Sequence, residues 1–170
     1  MGKTVAAIQW CRERARARRF PLLVVDSAAA LNFREWRRVP YAAALAQVWK
    51  QGGEWAWTPA DRTEVDGLCA AIVRVRKLVL LVDESAYWLD SSRGRGGSLE
   101  RLYRTARHPD AYVALTTQYA GADVSPQILA CRPEVFVFRT PQPLGRIETQ
   151  YGIDPEAAKA LKPHHFIRKT

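Results

Sequence analysis

The chain has 170 residues, 48% hydrophobic and 25% charged, which suits one globular domain over residues 1–170 with a single core. Its formal charge of +9 arises from 20 Arg and 6 Lys against 17 acidic residues, so the favoured partner is a polyanion, either a nucleic acid or an acidic protein. No apolar stretch is long enough to span a bilayer and no secretory leader is recognisable, which predicts a cytoplasmic protein.

The first predicted elements are a helix and a buried strand. Residues 4–19 carry apolar side chains at helical spacing and end in a strongly basic run, which predicts an amphipathic helix. Pro21 bars its continuation, and residues 22–25 form a wholly apolar strand that ends at Asp26. A strand that is apolar on both faces predicts a sheet that is covered on both sides.

The next stretch predicts a mostly helical segment over residues 28–50 and a short edge strand over residues 54–57. A helix with one apolar face is expected from Asp61, with Asp61 or Thr58 as its N-cap. It leads into residues 78–82, LVLLV, which are the strongest buried-strand signal in the chain.

The second half of the chain repeats this alternation. A basic, glycine-rich loop over residues 91–98 precedes a helix over residues 99–107. Strands are predicted over residues 111–118 and 134–139, with a short helix between them, and the tail predicts a short helix followed by an extended end. Strands that alternate with helices predict an α/β domain with a largely parallel sheet.

The three cysteines, Cys11, Cys69 and Cys131, are far apart in the sequence. Their odd number and wide spacing predict neither a disulfide framework nor a metal site. We therefore expect buried thiols.

Polar side chains follow two of the predicted strands, where reacting groups lie in an open parallel sheet. The strongest apolar strand ends in Asp83 and Glu84, of which the first can hold a Mg²⁺ shell and the second can orient or deprotonate a water. The following strand ends in Thr116, Thr117 and Gln118, a neutral tip suited to sensing a γ-phosphate. The alternative for the two acids is a solvated strand end.

The residues Gly2, Lys3 and Thr4 spell the last three positions of the phosphate-binding loop GxxxxGK[ST], or Walker A motif. In that loop, backbone N–H groups wrap the phosphates, while the Lys and the hydroxyl reach the γ-phosphate side and Mg²⁺. Three residues alone are weak evidence. Together with the acidic pair of a Walker B motif and the polar strand tip, in this order, they predict a nucleoside triphosphatase.

With these motifs in place, the chain resembles the ATPase core of the HerA/FtsK superfamily, and in particular the DNA-packaging ATPases of membrane-containing and related phages. The resemblance covers residues 2–166. It is firmest over residues 78–139, where LVLLVDES, a helix that ends in Arg-His before AYVALTTQ, and EVFVFRT follow one another. It implies a RecA-like (ASCE) P-loop ATPase core that forms a homo-oligomeric ring and moves double-stranded DNA through its centre, in the host cytoplasm, with capsid or portal-vertex proteins as further partners.

The resemblance also implies roles for single residues. Lys3 would contact the β- and γ-phosphates of ATP, and Thr4 would contact Mg²⁺. Asp83 would hold the metal through water. Glu84 would be the catalytic base, and Gln118 the sensor.

Four arginines are further candidates. A ring ATPase needs a cation from the neighbouring subunit to stabilise transition-state charge; Arg107, at a helix end, is the candidate, with Arg104 in reserve. The alternative for both is a solvated helix face or a salt bridge. Arg93 and Arg95, in the glycine-rich loop, could follow a DNA backbone without reading its sequence. The alternative for this pair is an ordinary surface loop.

In the family that the chain resembles, a strand precedes the phosphate loop and lies in the sheet between the strands that end here at Gln118 and Arg139. We therefore predict that the chain lacks this first, central strand and half of the loop, as a fragment or a product whose start was assigned too late, with Met1 internal to a longer GxxGMGKT. Each unpaired buried backbone group would cost about 1–3 kcal/mol. Lys3 and Thr4 would hold a triphosphate weakly, so we predict no measurable ATP turnover by residues 1–170.

Other functions stay open. Within the ATPase class, these are a conjugation or chromosome-segregation DNA pump and a filamentous-phage assembly protein of the Zot type, which also has aromatic residues after the acidic pair, here Tyr87 and Trp88. A different class is a non-catalytic, basic nucleic-acid-binding module. The tryptophans, among them Trp55 and Trp57, could stack on bases, but packing is the favoured role.

Overall fold

The computed structural model describes residues 2–29, 31, 35–89, 97–106, 110–119 and 124–170. In chain order the elements are α1 (Gly2–Arg18), β1 (Leu22–Asp26), β2 (Arg37–Arg38), α2 (Ala46–Gln51), β3 (Glu54–Trp57), α3 (Arg62–Val75), β4 (Val79–Asp83), α4 (Ser98–Thr105), β5 (Tyr112–Leu115), α5 (Pro126–Ala130), β6 (Val135–Phe138), α6 (Arg146–Tyr151), α7 (Pro155–Lys159) and β7 (Phe166–Lys169).

The strands form two sheets. The main sheet has the order β2-β3-β1-β4-β5, and all of its neighbouring strands are parallel. Strands β6 and β7 form a separate antiparallel pair. The predicted α/β class with a mostly parallel sheet flanked by helices is therefore confirmed.

Strands β1 and β4 are the centre of the main sheet, and every residue in both is buried. Their side chains alternate between two apolar layers. One layer packs against α3 and α4, and the other packs against α1. The prediction that the sheet is covered on both sides is confirmed, and helix α1 is thereby fixed across the face of β1 and β4.

Helix α3 begins as the sequence predicts. Of the two candidate caps, Asp61 is the N-cap, and its side chain accepts a hydrogen bond of 3.1 Å from the N–H of Glu64. The Glu64 side chain in turn accepts from the N–H of Ala60 at 2.7 Å. This reciprocal pair satisfies two N–H groups near the helix start.

The segment between β1 and β3 differs from the long helix predicted for residues 28–50. Its described part contains the two-residue strand β2, a 3₁₀ turn at Ala42–Leu45 and the short helix α2. Pro40 lacks an N–H and disfavours helical backbone before it, so a helix could not run through this point. Strand β3 was predicted at the edge of the sheet, but β2 pairs with its outer side.

Two tryptophans of β3 and two of the three cysteines are buried. Trp55 and Trp57 are 3% and 1% exposed, which confirms packing over base stacking for these two. Burial raises the pKa of both Cys11 and Cys69 to about 12, so both are unreactive thiols. Cys131 is exposed; the prediction of buried thiols is wrong there, because the residue follows the short surface helix α5. None of the helices in the described ranges is long and apolar enough to cross a membrane.

Candidate active site

The carboxyl edge of the main sheet brings together the first turn of α1 and the end of β4. The Lys3 Nζ donates to Glu84 Oε1 at 2.9 Å, and the Thr4 Oγ1 donates to Asp83 Oδ1 at 3.0 Å. These partners are 81 and 79 residues apart in the chain. The two motifs that the sequence singled out, GKT and the acidic pair, therefore meet in direct contact.

Gln118 and Gly2, which the sequence also predicts as site residues, lie at the same edge of the sheet. Gln118 follows β5, and its Nε2 donates to Glu84 Oε1 at 3.1 Å. Gly2 opens α1, and a Cβ at this position would lie 3.3 Å from His164 Nδ1 and 3.6 Å from Phe138 Cδ1. A side chain here would need His164 to move by a few tenths of an ångström, so a glycine suits the close approach of α1 to the end of β6.

The backbone at Glu84 turns sharply as it leaves β4. Glu84 has φ 48° and ψ 55°, a left-handed conformation that costs a non-glycine residue about 1–3 kcal/mol. Thr116 holds this turn: its Oγ1 accepts from the Glu84 N–H at 3.0 Å, and its carbonyl accepts from the N–H and hydroxyl of Ser85 at 2.8 and 3.0 Å. The turn places the Glu84 carboxylate beside Lys3 and Gln118.

Asp83 is held more deeply, with 6% of its surface exposed. Its Oδ1 accepts from the hydroxyls of Thr4 and Thr116. Its carbonyl accepts from the hydroxyl of Ser27, which itself accepts from the Trp88 Nε1 at 2.6 Å. These contacts fix the Asp83 carboxylate beside the Thr4 hydroxyl.

Thr116 is the site residue whose role the sequence reasoning missed. The strand tip was interpreted as a phosphate sensor, but the Thr116 side chain instead supports both acids. The register of the parallel strands β4 and β5 accounts for this role. Val82 pairs with Leu115, so Thr116 lies opposite Asp83. The contact could therefore be predicted only from the pairing of the two strands, which the sequence alone does not give.

The residues of this edge suit a magnesium ion that is shared with a phosphorylated ligand. The Glu84 carboxylate faces the Lys3 ammonium group, and the Asp83 carboxylate faces the Thr4 hydroxyl. The Thr4 Oγ1 and Asp83 Oδ1, joined by a hydrogen bond of 3.0 Å, are hard oxygen donors of the kind that Mg²⁺ prefers, directly or through water. In the described part of the chain, no group of three or more His, Cys, Asp or Glu could hold a metal.

The substitution Thr116→Val tests whether the Thr116 hydroxyl supports Asp83 and Glu84. It keeps the shape of the side chain but leaves the Glu84 N–H and one lone pair of Asp83 without the hydroxyl, so we expect the free energy of unfolding to fall by about 1–3 kcal/mol. Urea denaturation measures the loss. Thr116→Ser retains the hydroxyl and is expected to lose much less; equal losses in the two variants would contradict the role of the hydroxyl.

The arginine candidates are placed differently. Arg93, Arg95 and Arg107 lie outside the described residues. Arg104 is exposed in the last turn of α4, which ends beside the start of β5. The acidic pair lies at the other end of the strands, so Arg104 is not part of the carboxyl-edge cluster.

Comparisons with known proteins show solved structures with a similar fold but no relative by sequence. No protein-family model matches the chain, and no curated protein matches it. Among solved structures, the chain is similar to the genome packaging NTPase B204 from Sulfolobus turreted icosahedral virus 2 in complex with sulfate, with a TM-score of 0.76 at 16% identity over 98% of this chain and 84% of that chain. The same NTPase in complex with ATP-gammaS gives a TM-score of 0.70 at 18% identity over 98% of this chain and 85% of that chain. B204, the DNA-packaging ATPase from Sulfolobus turreted icosahedral virus, gives a TM-score of 0.66 at 15% identity over 99% of this chain and 91% of that chain. At these identities the likeness shows the fold: the chain has the α/β fold of a genome-packaging NTPase.

Proposed function

We propose that the carboxyl-edge cluster is a Mg–ATP site and that the protein is an ATPase of the HerA/FtsK type which moves double-stranded DNA, as the packaging ATPase of a virus. The observation that carries this proposal is the meeting of Lys3 and Thr4, at the start of a helix, with Asp83 and Glu84. The fold shared with B204 supports it. Assembly as a ring and contact with capsid or portal-vertex proteins belong to the same proposal.

The contacts of the cluster define what each side chain would do. Lys3 would exchange its bond with Glu84 for a bond with the phosphates, joined by the N–H groups that the first turn of α1 leaves unpaired. Thr4 and Asp83 would hold Mg²⁺, which neutralises phosphate charge. Glu84, released from Lys3, would accept a proton from the attacking water, and Gln118 would orient that water.

The variant Lys3→Ala tests the nucleotide site in the chain of residues 1–170. The wild type is expected to bind Mg–ATP through Lys3, Thr4 and the N–H groups of the first turn of α1. Loss of the Lys3 ammonium group is expected to weaken binding at least about tenfold, as charge-assisted bonds to phosphate contribute about 1.5–3 kcal/mol. Titration calorimetry measures both proteins.

The matched control is Lys159→Ala, which removes a lysine whose partner is Glu156 on α7 and is expected to bind like the wild type. Unchanged affinity in Lys3→Ala would contradict the proposed site. We also propose that residues 1–170 show no measurable ATP turnover. Robust hydrolysis that is lost in Lys3→Ala would contradict the expected lack of turnover and would support the ATPase.

A second candidate function is that of a non-catalytic nucleic-acid-binding module, and one observation favours it. Helices α1 and α3 both end at the amino edge of the sheet, since Leu22 of β1 is in register with Val79 of β4. Exposed cations cluster at and just beyond these helix ends: Arg16, Arg18, Arg19, Arg74, Arg76 and Lys77. Such a surface would bind a phosphate backbone without any nucleotide.

DNA affinity measured against salt concentration separates the two candidates. For the packaging proposal, Arg93→Ala with Arg95→Ala is expected to reduce the slope of log affinity on log salt by about 2, since each arginine neutralises about one phosphate. Fluorescence anisotropy with a short DNA duplex gives the slope. If Arg16→Ala with Arg18→Ala reduces it instead, and Mg–ATP has no effect on binding, the second candidate is favoured.

A further inference from the structure

A cleft of about 720 Å³ lies beside the candidate active site. Strands β5 and β6 form two of its walls, and α1 forms a third. At the carboxyl edge of the main sheet, the residues that line it include Lys3, Thr4, Glu84 and Gln118 of the candidate active site, together with Arg139. Arg139 directly follows β6, so the end of that strand borders the same space as the lysine proposed to bind phosphate.

The direction of β6 brings Arg139 to this edge. Glu134, just before β6, accepts a hydrogen bond of 3.0 Å from the Trp10 Nε1 in α1. At the other end of the strand, the Phe138 Cδ1 lies 3.6 Å from the position of a Cβ on Gly2, at the start of α1. Because α1 starts at the carboxyl edge and ends at the amino edge, β6 runs towards the carboxyl edge, as β5 does. Arg139 therefore lies one residue beyond the contact of β6 with the start of α1.

The pairing of β6 with β7 supports this position of Arg139. Phe138 is in register with Phe166 of β7, and the centroids of their rings are 5.3 Å apart. His164, two residues before Phe166, places its Nδ1 3.3 Å from the same Cβ position on Gly2. The end of the β6–β7 pair therefore meets the start of α1 through two segments of the chain, and Arg139 leaves the pair at this point.

The guanidinium group of Arg139 is available to a ligand. Arg139 is exposed, and no carboxylate of the described residues lies within ion-pair distance of it. Arg12 and Arg14 on α1 are, by contrast, held by Glu54 and Glu134. A guanidinium group presents planar, paired N–H donors that match the oxygens of a phosphate group. The end of β6 therefore offers a cation for which no described carboxylate competes.

We propose that Arg139 is a further phosphate-binding residue of the nucleotide site, which contacts the terminal phosphate of ATP from the β6 side while Lys3 of the same chain contacts it from the α1 side. The inference rests on the proposed function. The terminal phosphate is assigned because the cleft that Arg139 lines is also lined by Glu84 and Gln118, which would act on the water that attacks this phosphate. A triphosphate brings negative charge close to the carboxylates of Asp83 and Glu84, and a cation across the cleft offsets this repulsion.

Titration calorimetry with Mg–ATP and Mg–ADP tests the role of Arg139 in residues 1–170. Arg139→Gln removes the charge but keeps a polar side chain. We expect it to weaken Mg–ATP binding at least about tenfold and Mg–ADP binding less than about threefold, because a charge-assisted bond to the terminal phosphate is lost. The ratio of the two affinities is the decisive readout, since a merely structural role would change both alike. Arg146→Gln, at the exposed start of α6, is the matched control and is expected to bind like the wild type.

A mixture of the variants Lys3→Ala and Arg139→Gln shows whether the two cations act within one chain. Each variant in the mixture supplies the cation that the other lacks. We expect Mg–ATP affinity to stay at the level of the separate variants. Recovery towards the affinity of the wild type would show that Arg139 reaches the site of a neighbouring copy, and would overturn its assignment to the same chain.

Three results would overturn the proposal. They are unchanged Mg–ATP affinity in Arg139→Gln, equal losses of affinity for Mg–ATP and Mg–ADP, and an Arg139 Nε–H signal of the wild type that does not shift in NMR spectra when Mg–ATP is added. The last result needs no variant, so it decides the question even if Arg139→Gln does not fold. If Lys3→Ala weakens Mg–ATP binding and Arg139→Gln does not, the proposed function stands without Arg139; absence of Mg–ATP binding in the wild type would overturn both.

Discussion

The substitution Glu84→Gln is expected to tighten Mg–ATP binding about tenfold. In the structure Glu84 holds Lys3 through a partly exposed ion pair of 2.9 Å, so a phosphate must displace this carboxylate before it can use the lysine. Glutamine weakens that competition and removes one negative charge beside the triphosphate, which together contribute about 1–1.5 kcal/mol at a partly solvated site. In any form of the protein that turns over ATP, loss of the base is expected to lower kcat by about 10²–10⁴-fold.

Calorimetry and phosphate release measure the two effects. In Lys3→Ala the further change Glu84→Gln is expected to give little gain, because the lysine it would free is absent. Glu156→Gln, on the exposed helix α7, is the matched control and is expected to change neither quantity. Weaker binding in Glu84→Gln, together with unchanged turnover, would show that Glu84 has a structural role.

The substitution Trp57→Ala is expected to lower the free energy of unfolding by about 3–5 kcal/mol. Trp57 is 1% exposed and packs in the apolar layer between the sheet and α3 and α4, so truncation removes a large buried side chain and leaves a cavity. The loss is a large part of the 5–15 kcal/mol that stabilises a typical domain. Denaturation in urea measures it.

Tyr41→Ala is the aromatic control. Tyr41 is 61% exposed, and its loss is expected to change stability by no more than about 0.5 kcal/mol. Similar stability of Trp57→Ala and wild type, with weakened binding of single-stranded nucleic acid, would contradict packing and favour base stacking.

The central strands and the reacting groups were predictable from the sequence, for clear physical reasons. An apolar run bounded by charged or turn-forming residues has few alternatives to a buried strand, which is why β1 and β4 are confirmed. Asp61 was predictable as a cap because its carboxylate has one favourable use at a helix start. The rule that reacting groups lie beyond the carboxyl ends of parallel strands pointed to Asp83 and Glu84, while their contacts with Lys3 and Thr4 depend on where α1 packs.

What the sequence could not predict depends on contacts between distant segments. Strand β2 has two residues and no periodicity, so it exists only through its pairing with β3. The tail was predicted as extended, but its antiparallel pairing with β6 depends on how the chain returns after α7. The left-handed backbone of Glu84 disagrees with its local preference and is held by Thr116 from a neighbouring strand.

The cleft between β5 and β6 adjoins the candidate active site. The acids are fixed by β4 and supported by β5, while Lys3 and Thr4 approach from α1. The side of the site that faces β6 is therefore open.

The most direct test of the account is a map of amide chemical shifts in residues 1–170 during titration with ATP-gammaS, with and without Mg²⁺, since NMR detects weak binding. If the carboxyl-edge cluster binds Mg–ATP, the changes are saturable, depend on magnesium and are concentrated at residues 2–4, 83–85 and 116–118. Changes concentrated instead at the basic amino edge around Arg16 and Arg76, or changes that persist in full after Lys3→Ala, would contradict it.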